Sequence, residues 1–162
     1  MRHTFRVILW FLAGTVVLAG LIFGIFNLPG PAPREDVSFG ITFSNRYAEA
    51  LGLDWQQTYL ALLDELGVKK VRIPVYWDRV ERENGAYDFS EIDWQLEEAQ
   101  KRHVEVVLAM GQRVPRWPEC FIPESAKEDD AVQKTSLLRL LGRTVNRYRD
   151  HTEVTVWQVE NE

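Results

Sequence analysis

Read for apolar against polar positions, the chain opens on one uninterrupted apolar run and then settles into alternating strand-like and helix-like periods. From Val7 to Leu28 no residue is charged, and Val, Ile, Leu, Phe, Ala and Gly dominate. At about 1.5 Å per helical residue the run can cross a hydrocarbon core of about 30 Å. It is longer than the apolar core of a secretory signal, about 7–15 residues, and no small-x-small cleavage site follows it. A retained transmembrane anchor over residues 7–28 is therefore expected. A buried helix of a soluble domain fits poorly, because nothing in the run is polar enough to face water. Arg2 and Arg6 precede the span, so residues 1–6 are expected in the cytoplasm and everything after Leu28 outside it. Residues 29–36 carry Pro29, Pro31 and Pro33 and read as a short stiff linker.

Beyond the linker, Val37 to Phe43 alternates and is rich in β-formers, which predicts a first strand. Asp54 is placed to cap a helix from Trp55 to Leu66, with Leu60, Leu63 and Leu66 on one stripe and Gly67 past its end. A second strand spans Val71 to Tyr76, where Pro74 argues mildly against a central position. After a loop from Trp77 to Phe89, Ser90 and Asp93 form a capping box opening a helix to Arg102. A third, almost wholly apolar strand runs from Val104 to Met110. The connection from Gly111 to Asp130 has stiff corners at Pro115, Pro118 and Pro123. A helix then runs from Ala131 to Tyr148 with Leu137, Leu138, Leu141 and Val145 as its apolar stripe. The last strand begins at Val154, with Val154 and Val156 on one face and Trp157 and Val159 on the other, and runs into Glu160, Asn161 and Glu162. Strands alternating with helices mean an α/β fold with a parallel sheet. Short helix-to-strand connections and long strand-to-helix ones match an α/β barrel with its site at the carboxyl ends of the strands. Four strands and three helices are about half of such a barrel, so residues 37–162 are expected to form a partial (β/α)8 unit.

Composition narrows the chemistry. The formal charge is −5 and the only charged residues before Glu35 are Arg2, Arg6 and Arg34, so the part from Glu35 onward carries −8. That argues against nucleic acid as a partner, which needs a basic face. Cys120, the single cysteine, has no internal disulfide partner and reads as an unreactive loop thiol. His3, His103 and His151 are too scattered for a metal cluster by local spacing. No metal and no cofactor is expected.

Three stretches carry a family resemblance. The first is Val71-Arg72-Ile73-Pro74-Val75-Tyr76-Trp77, followed by Val80-Glu81, Glu83-Asn84-Gly85-Ala86-Tyr87-Asp88-Phe89 and Ile92-Asp93. The second is Val106-Val107-Leu108 running into Pro115-Arg116-Trp117-Pro118. The third is Trp157 through Asn161-Glu162. In this order, each at the end of an expected strand, they resemble strands two, three and four of the TIM-barrel catalytic domain of the retaining glycoside hydrolases that include cellulases, mannanases and β-galactosidases. The resemblance covers Val37 to Glu162, and implies a glycosidase acting on β-linked oligosaccharides or polysaccharides.

Carried over by position, the resemblance makes Glu162 the general acid/base, Asn161 an amide bonding the sugar 2-hydroxyl, and Arg72 the arginine near the nucleophile. The nucleophile of such enzymes stands on a seventh strand, so the 162 residues alone are expected to be inactive. The chemistry is consistent: a glycosidic oxygen leaves only when protonated, and a retaining enzyme sets a second carboxylate about 5–5.5 Å from the proton donor. Trp77 and Trp117 follow strands two and three, where flat rings suit sugar stacking, though loop packing accounts for them equally. Gln112, with Arg113 and Glu119, is placed to bind hydroxyls or to brace the loop. Glu160 shares the face of Glu162 and is expected to meet a polar neighbour inside the barrel, while Trp55 and Trp94 belong to the core. An Arg in an apolar strand needs a buried acceptor. Two other readings remain open: a non-catalytic, membrane-anchored carbohydrate-binding or interaction protein, and a complementary half-barrel supplied in trans by a separate chain.

Overall fold

The computed structural model of the chain describes residues 2–30, 37–83, 85–127 and 129–161. Two compact units follow one another, Met1–Val37 and Ser38–Glu162.

The first unit is one helix, α1, Arg2–Phe26, 25 residues with none buried. At 1.5 Å per residue it is about 37 Å long, long and apolar enough to cross a membrane. Its start lies five residues before the apolar run. Its end is closed by Asn27, whose side-chain amide donates to the Phe23 carbonyl oxygen at 2.8 Å, and Pro29 follows. Most of the expected linker, residues 31–36, lies outside the described residues.

The second unit contains β1 (Ile41–Thr42), α2 (Asn45–Ala50), α3 (Trp55–Asp64), β2 (Lys70–Val75), α4 (Trp77–Val80), β3 (Glu81–Glu83), β4 (Ala86–Tyr87), α5 (Ser90–Lys101), β5 (Glu105–Met110), a 3-10 turn at Glu124–Ala126, α6 (Asp130–Tyr148) and β6 (Val154–Val159). The sheet has the order β1-β2-β5-β6 with every pairing parallel, the α/β alternation expected from the sequence. Val71, Ile73 and Val75 of β2 and Val106, Leu108 and Met110 of β5 point to the helix side, where Tyr59, Leu63, Leu96 and Leu140 close the core over them. Trp55 and Trp94 pack edge to face, centroids 5.1 Å apart, between α3 and α5. The opposite face of the sheet carries Thr42, Arg72 and Val107.

Several expectations are corrected. The first strand is two residues, not seven. Pro74 sits in a central strand: Arg72 offers its carbonyl to Phe43 N on the β1 side, so Pro74, two residues on, turns its nitrogen to the same side, past the end of β1, and no ladder bond is lost. The capping box is absent, because Ser90 is already helical and takes its cap from Asp88, whose carboxylate accepts the Ser90 N–H at 3.0 Å. Asp93 instead accepts from Arg147 and from the Tyr148 hydroxyl at 2.7 Å, tying α5 to α6. That tie sets the rotation of α6. Its buried stripe is Ser136, Leu140, Thr144 and Tyr148, while Leu138 and Val145 of the expected stripe are exposed. Val154 and Val156 do not share a face either. Val106 pairs with Val154 but Val107 pairs with Val156, so Thr155 is an extra residue in β6, a bulge that shifts every later side chain by one step.

Candidate active site

The bulge places Gln158 opposite Ala109, on the face of the sheet that carries Arg72. Arg72 donates through Nε to the Thr42 hydroxyl at 3.0 Å and through a terminal nitrogen to Gln158 Oε1 at 3.2 Å. One guanidinium thus spans β1, β2 and β6. The acceptor that an Arg in an apolar strand requires is supplied by an amide and a hydroxyl. Among the described residues no carboxylate lies within 4.0 Å of it. Gln158 in turn donates to the backbone oxygen of Glu160 at 3.1 Å and toward Asn161 Oδ1 at 3.4 Å, which links Arg72 to the Asn that precedes Glu162. Glu162 itself lies outside the described residues. Beside Arg72, a depression of about 260 Å³ opens between Thr42, Lys70 and Val107.

The loop after β5 forms the next wall. Tyr76, Val114 and Phe121 make a small buried cluster. The Tyr76 hydroxyl lies 2.6 Å from Ser44 Oγ and donates to the Pro115 carbonyl oxygen at 3.2 Å, and burial pushes its pKa up. Arg46 lies over the Phe121 ring at 4.9 Å and pairs with Asp78 at 2.7 Å. The loop tip at Trp117 is left standing free, 91% exposed. Gln112 faces α6, its Oε1 accepting from Gln133 at 2.8 Å, and its backbone N–H donates to Glu160.

Trp77 requires correction. Its ring is fully buried and its indole N–H donates to Glu81 Oε2 at 2.7 Å, so it offers no face to a ligand. Glu81, 1% exposed, also accepts from the Tyr87 hydroxyl and from Gly85 N, each at 3.1 Å. It organises the β3–β4 turn from within. Sequence reasoning missed Thr42 and Gln158 as partners of Arg72. The signal for Gln158 was present, a lone amide inside a β-branched and aromatic run. Among the described residues no group of three or more His, Cys, Asp or Glu is placed to hold a metal ion.

A family model for glycoside hydrolase family 42, described as Beta-galactosidase, matches residues 51–136, more than half of the chain. A beta-galactosidase from the Antarctic haloarchaeon Halorubrum lacusprofundi superposes with a TM-score of 0.53 at 21% identity, covering 76% of this chain and 21% of its own. A GH42 beta-galactosidase from G. stearothermophilus gives 0.56 at 20% identity, again over 76% and 21%. A GH5_18 protein from Bifidobacterium longum subsp. longum gives 0.59 at 15% identity, over 78% and 34%. These structural likenesses bear on the fold, part of a TIM barrel, and the chain spans only about a fifth of the length of the first two.

Proposed function

The chain belongs to glycoside hydrolase family 42, the beta-galactosidase family, and on that premise we propose that its α/β unit supplies the proton-donating wall of a retaining β-glycosidase cleft. Glu162 is the general acid/base and Asn161 the amide that holds the 2-hydroxyl of the sugar bound beside it. The observation that carries this reading is the polar row Thr42, Arg72, Gln158 and Asn161, which crosses the sheet and ends at the residue before Glu162. A carboxylic acid there protonates the glycosidic oxygen as the bond breaks. The same group, now ionised, deprotonates the water that releases the sugar. The second carboxylate belongs to the strands that complete the barrel, so these 162 residues by themselves are expected to hydrolyse nothing. Trp117, with its free indole, is the stacking platform for a β-linked oligosaccharide. The apolar helix anchors the protein in a membrane, Arg2 and Arg6 holding its amino end in the cytoplasm and the α/β unit outside.

The test is Glu162→Gln in the completed barrel. Hydrolysis of a 4-nitrophenyl β-galactoside should fall by about 10²–10⁴-fold. A 2,4-dinitrophenyl glycoside, whose leaving group needs no proton, should keep most of its first-step rate. Undiminished hydrolysis of the 4-nitrophenyl substrate refutes the assignment. Binding of oligosaccharide without cleavage by the completed, wild-type protein supports the carbohydrate-binding reading in its place.

A further inference from the structure

Glu160 stands two residues before the proposed proton donor, and its carboxylate is taken up by the backbone of the loop after β5. Its Oε1 accepts the backbone N–H of Gln112 at 2.9 Å and its Oε2 that of Arg113 at 2.7 Å, while its own N–H donates to the Met110 carbonyl oxygen at 2.9 Å. To make all three bonds, Glu160 adopts a φ of 63°, in the left-handed region that a non-glycine residue enters at a cost. Gly111 makes room for it. With φ at 146°, a Cβ built on Gly111 would stand 2.7 Å from the Glu160 carboxyl carbon. Two backbones are therefore shaped around one carboxylate, and two adjacent N–H groups hold it as a nest holds an anion. Among the described residues it has no cationic partner within 4.0 Å.

We propose that Glu160 is a positioning residue: through the Gln112 and Arg113 N–H groups it fixes the end of β6 against the loop after β5, and so sets where Asn161 and Glu162 stand. The proposal deepens the functional reading above and rests on it for its catalytic half only. A charged acceptor bonded twice gives both distance and orientation. The residue that follows such a clamp has little freedom to swing, and a proton donor displaced by 1 Å loses a large part of its effect. The backbone oxygen of Glu160 extends the clamp to the other side, because it accepts from Gln158, which is held by Arg72.

Two measurements on Glu160→Gln separate the clamp from the chemistry. In the full chain in detergent micelles, deuterium exchange at the Gln112 and Arg113 amides should accelerate by about tenfold or more, one unit of RT ln 10, because the Gln amide turns a donor toward one of them. Exchange at Leu108 in β5 should stay within twofold. Gly111→Ala, which leaves the carboxylate intact but denies it space, should release the same two amides, and it serves where Glu160→Gln fails to fold. Unchanged exchange in both variants overturns the clamp, whatever the enzyme does. In the completed barrel, Glu160→Gln should lower kcat on the 4-nitrophenyl glycoside at least tenfold, with KM within threefold, and leave glycosylation from the 2,4-dinitrophenyl glycoside within twofold. Equal losses on the two substrates overturn the positioning role and leave Glu160 a brace for the fold. If Glu162→Gln has no effect while the amides are still released, the functional reading fails and the clamp stands.

Discussion

The buried carboxylate of Glu81 makes a demanding test of how the turn after β2 is held. Three donors converge on it: the Trp77 indole N–H at 2.7 Å, the Tyr87 hydroxyl at 3.1 Å and the Gly85 N–H at 3.1 Å. Glu81→Gln keeps the shape and removes the charge. The amide oxygen can still accept from Trp77 and Tyr87, but bonds to a charged acceptor are worth about 1.5–3 kcal/mol and neutral ones about 0.5–1.5, so about 1 kcal/mol is lost at each. The amide nitrogen then meets the Gly85 N–H, donor against donor, which costs about 1–3 kcal/mol more. Relief from burying a charge offsets part of this, and the net loss is about 2 kcal/mol. With a urea slope of about 1.5 kcal/mol per molar, the unfolding midpoint followed by tryptophan fluorescence should fall by roughly 1–1.5 M. The same substitution acts on Tyr87, whose hydroxyl is pushed up to about 12, by burial first and then by the charge and hydrogen bond of Glu81. With that charge gone, tyrosinate absorbance should show Tyr87 ionising at lower pH. Tyr87 is raised in the folded state, so its stabilising contribution is complete below the ordinary tyrosine value, about 10. That contribution drains away as pH climbs toward 12. A midpoint within about 0.3 M of wild type, or an unmoved Tyr87, would refute the three-donor account.

Three further outcomes follow from the same geometry. Hydrogen bonds from Arg79 to Glu49, from Arg102 to Asp64, and from Lys101 first and then Arg102 to Glu98 hold these three carboxyls below the usual carboxylate range. Their contribution is present above about pH 4.5 and is lost as pH falls through the lowered folded values, so urea midpoints should be flat from neutral to mildly acidic pH and then drop; a rise on acidification contradicts this. Gly40→Ala should destabilise the β1–β2 pairing by about 1–3 kcal/mol, read as a lowered Tm, because the new Cβ would stand 2.8 Å from the Lys70 carbonyl oxygen. Trp117→Ala should change stability by less than about 0.5 kcal/mol, since the ring touches little, yet weaken oligosaccharide binding by the completed barrel severalfold in calorimetry.

What the sequence disclosed was whatever a local pattern can encode. The three long strands stood out as short apolar, β-branched runs, the helices at 55 and 131 by apolar positions spaced at about 3.6 residues, and the helix at 90 by Ser90 and Asp93 at its start; their order implied the parallel sheet. The features that escaped are those fixed by a distant partner. The phase of α6 is set by the Tyr148 hydroxyl reaching Asp93, 55 positions earlier, so an apolar stripe through Leu138 was a fair reading of the helix alone and the wrong one in the fold. Trp77 looked like a ring for sugars because it follows a strand. Its partner Glu81, one turn on, takes the indole N–H and draws the ring inward. Arg72 was legible as an anomaly, a cation in an apolar run, but the identity of its acceptors was not, since Thr42 and Gln158 come from other strands.

The bulge at Thr155 decides more of the site than any single side chain in it. Val154 lies against the core, and with an unbroken register Val156 and Gln158 would follow it to the helix side, turning Trp157 onto the opposite face. That arrangement would bury an amide among Leu and Val and leave an indole beside Arg72. One extra residue reverses it: Trp157 packs on the core cluster while Gln158 comes within 3.2 Å of Arg72. Glu160 keeps the parity of Gln158, which is what brings its carboxylate over Gly111. Nothing at Thr155, neither Gly nor Pro, marks the insertion in the sequence. The mark is distributed instead between Trp157, which needs a core, and Gln158, which needs a partner, and one register of β6 against β5 satisfies both.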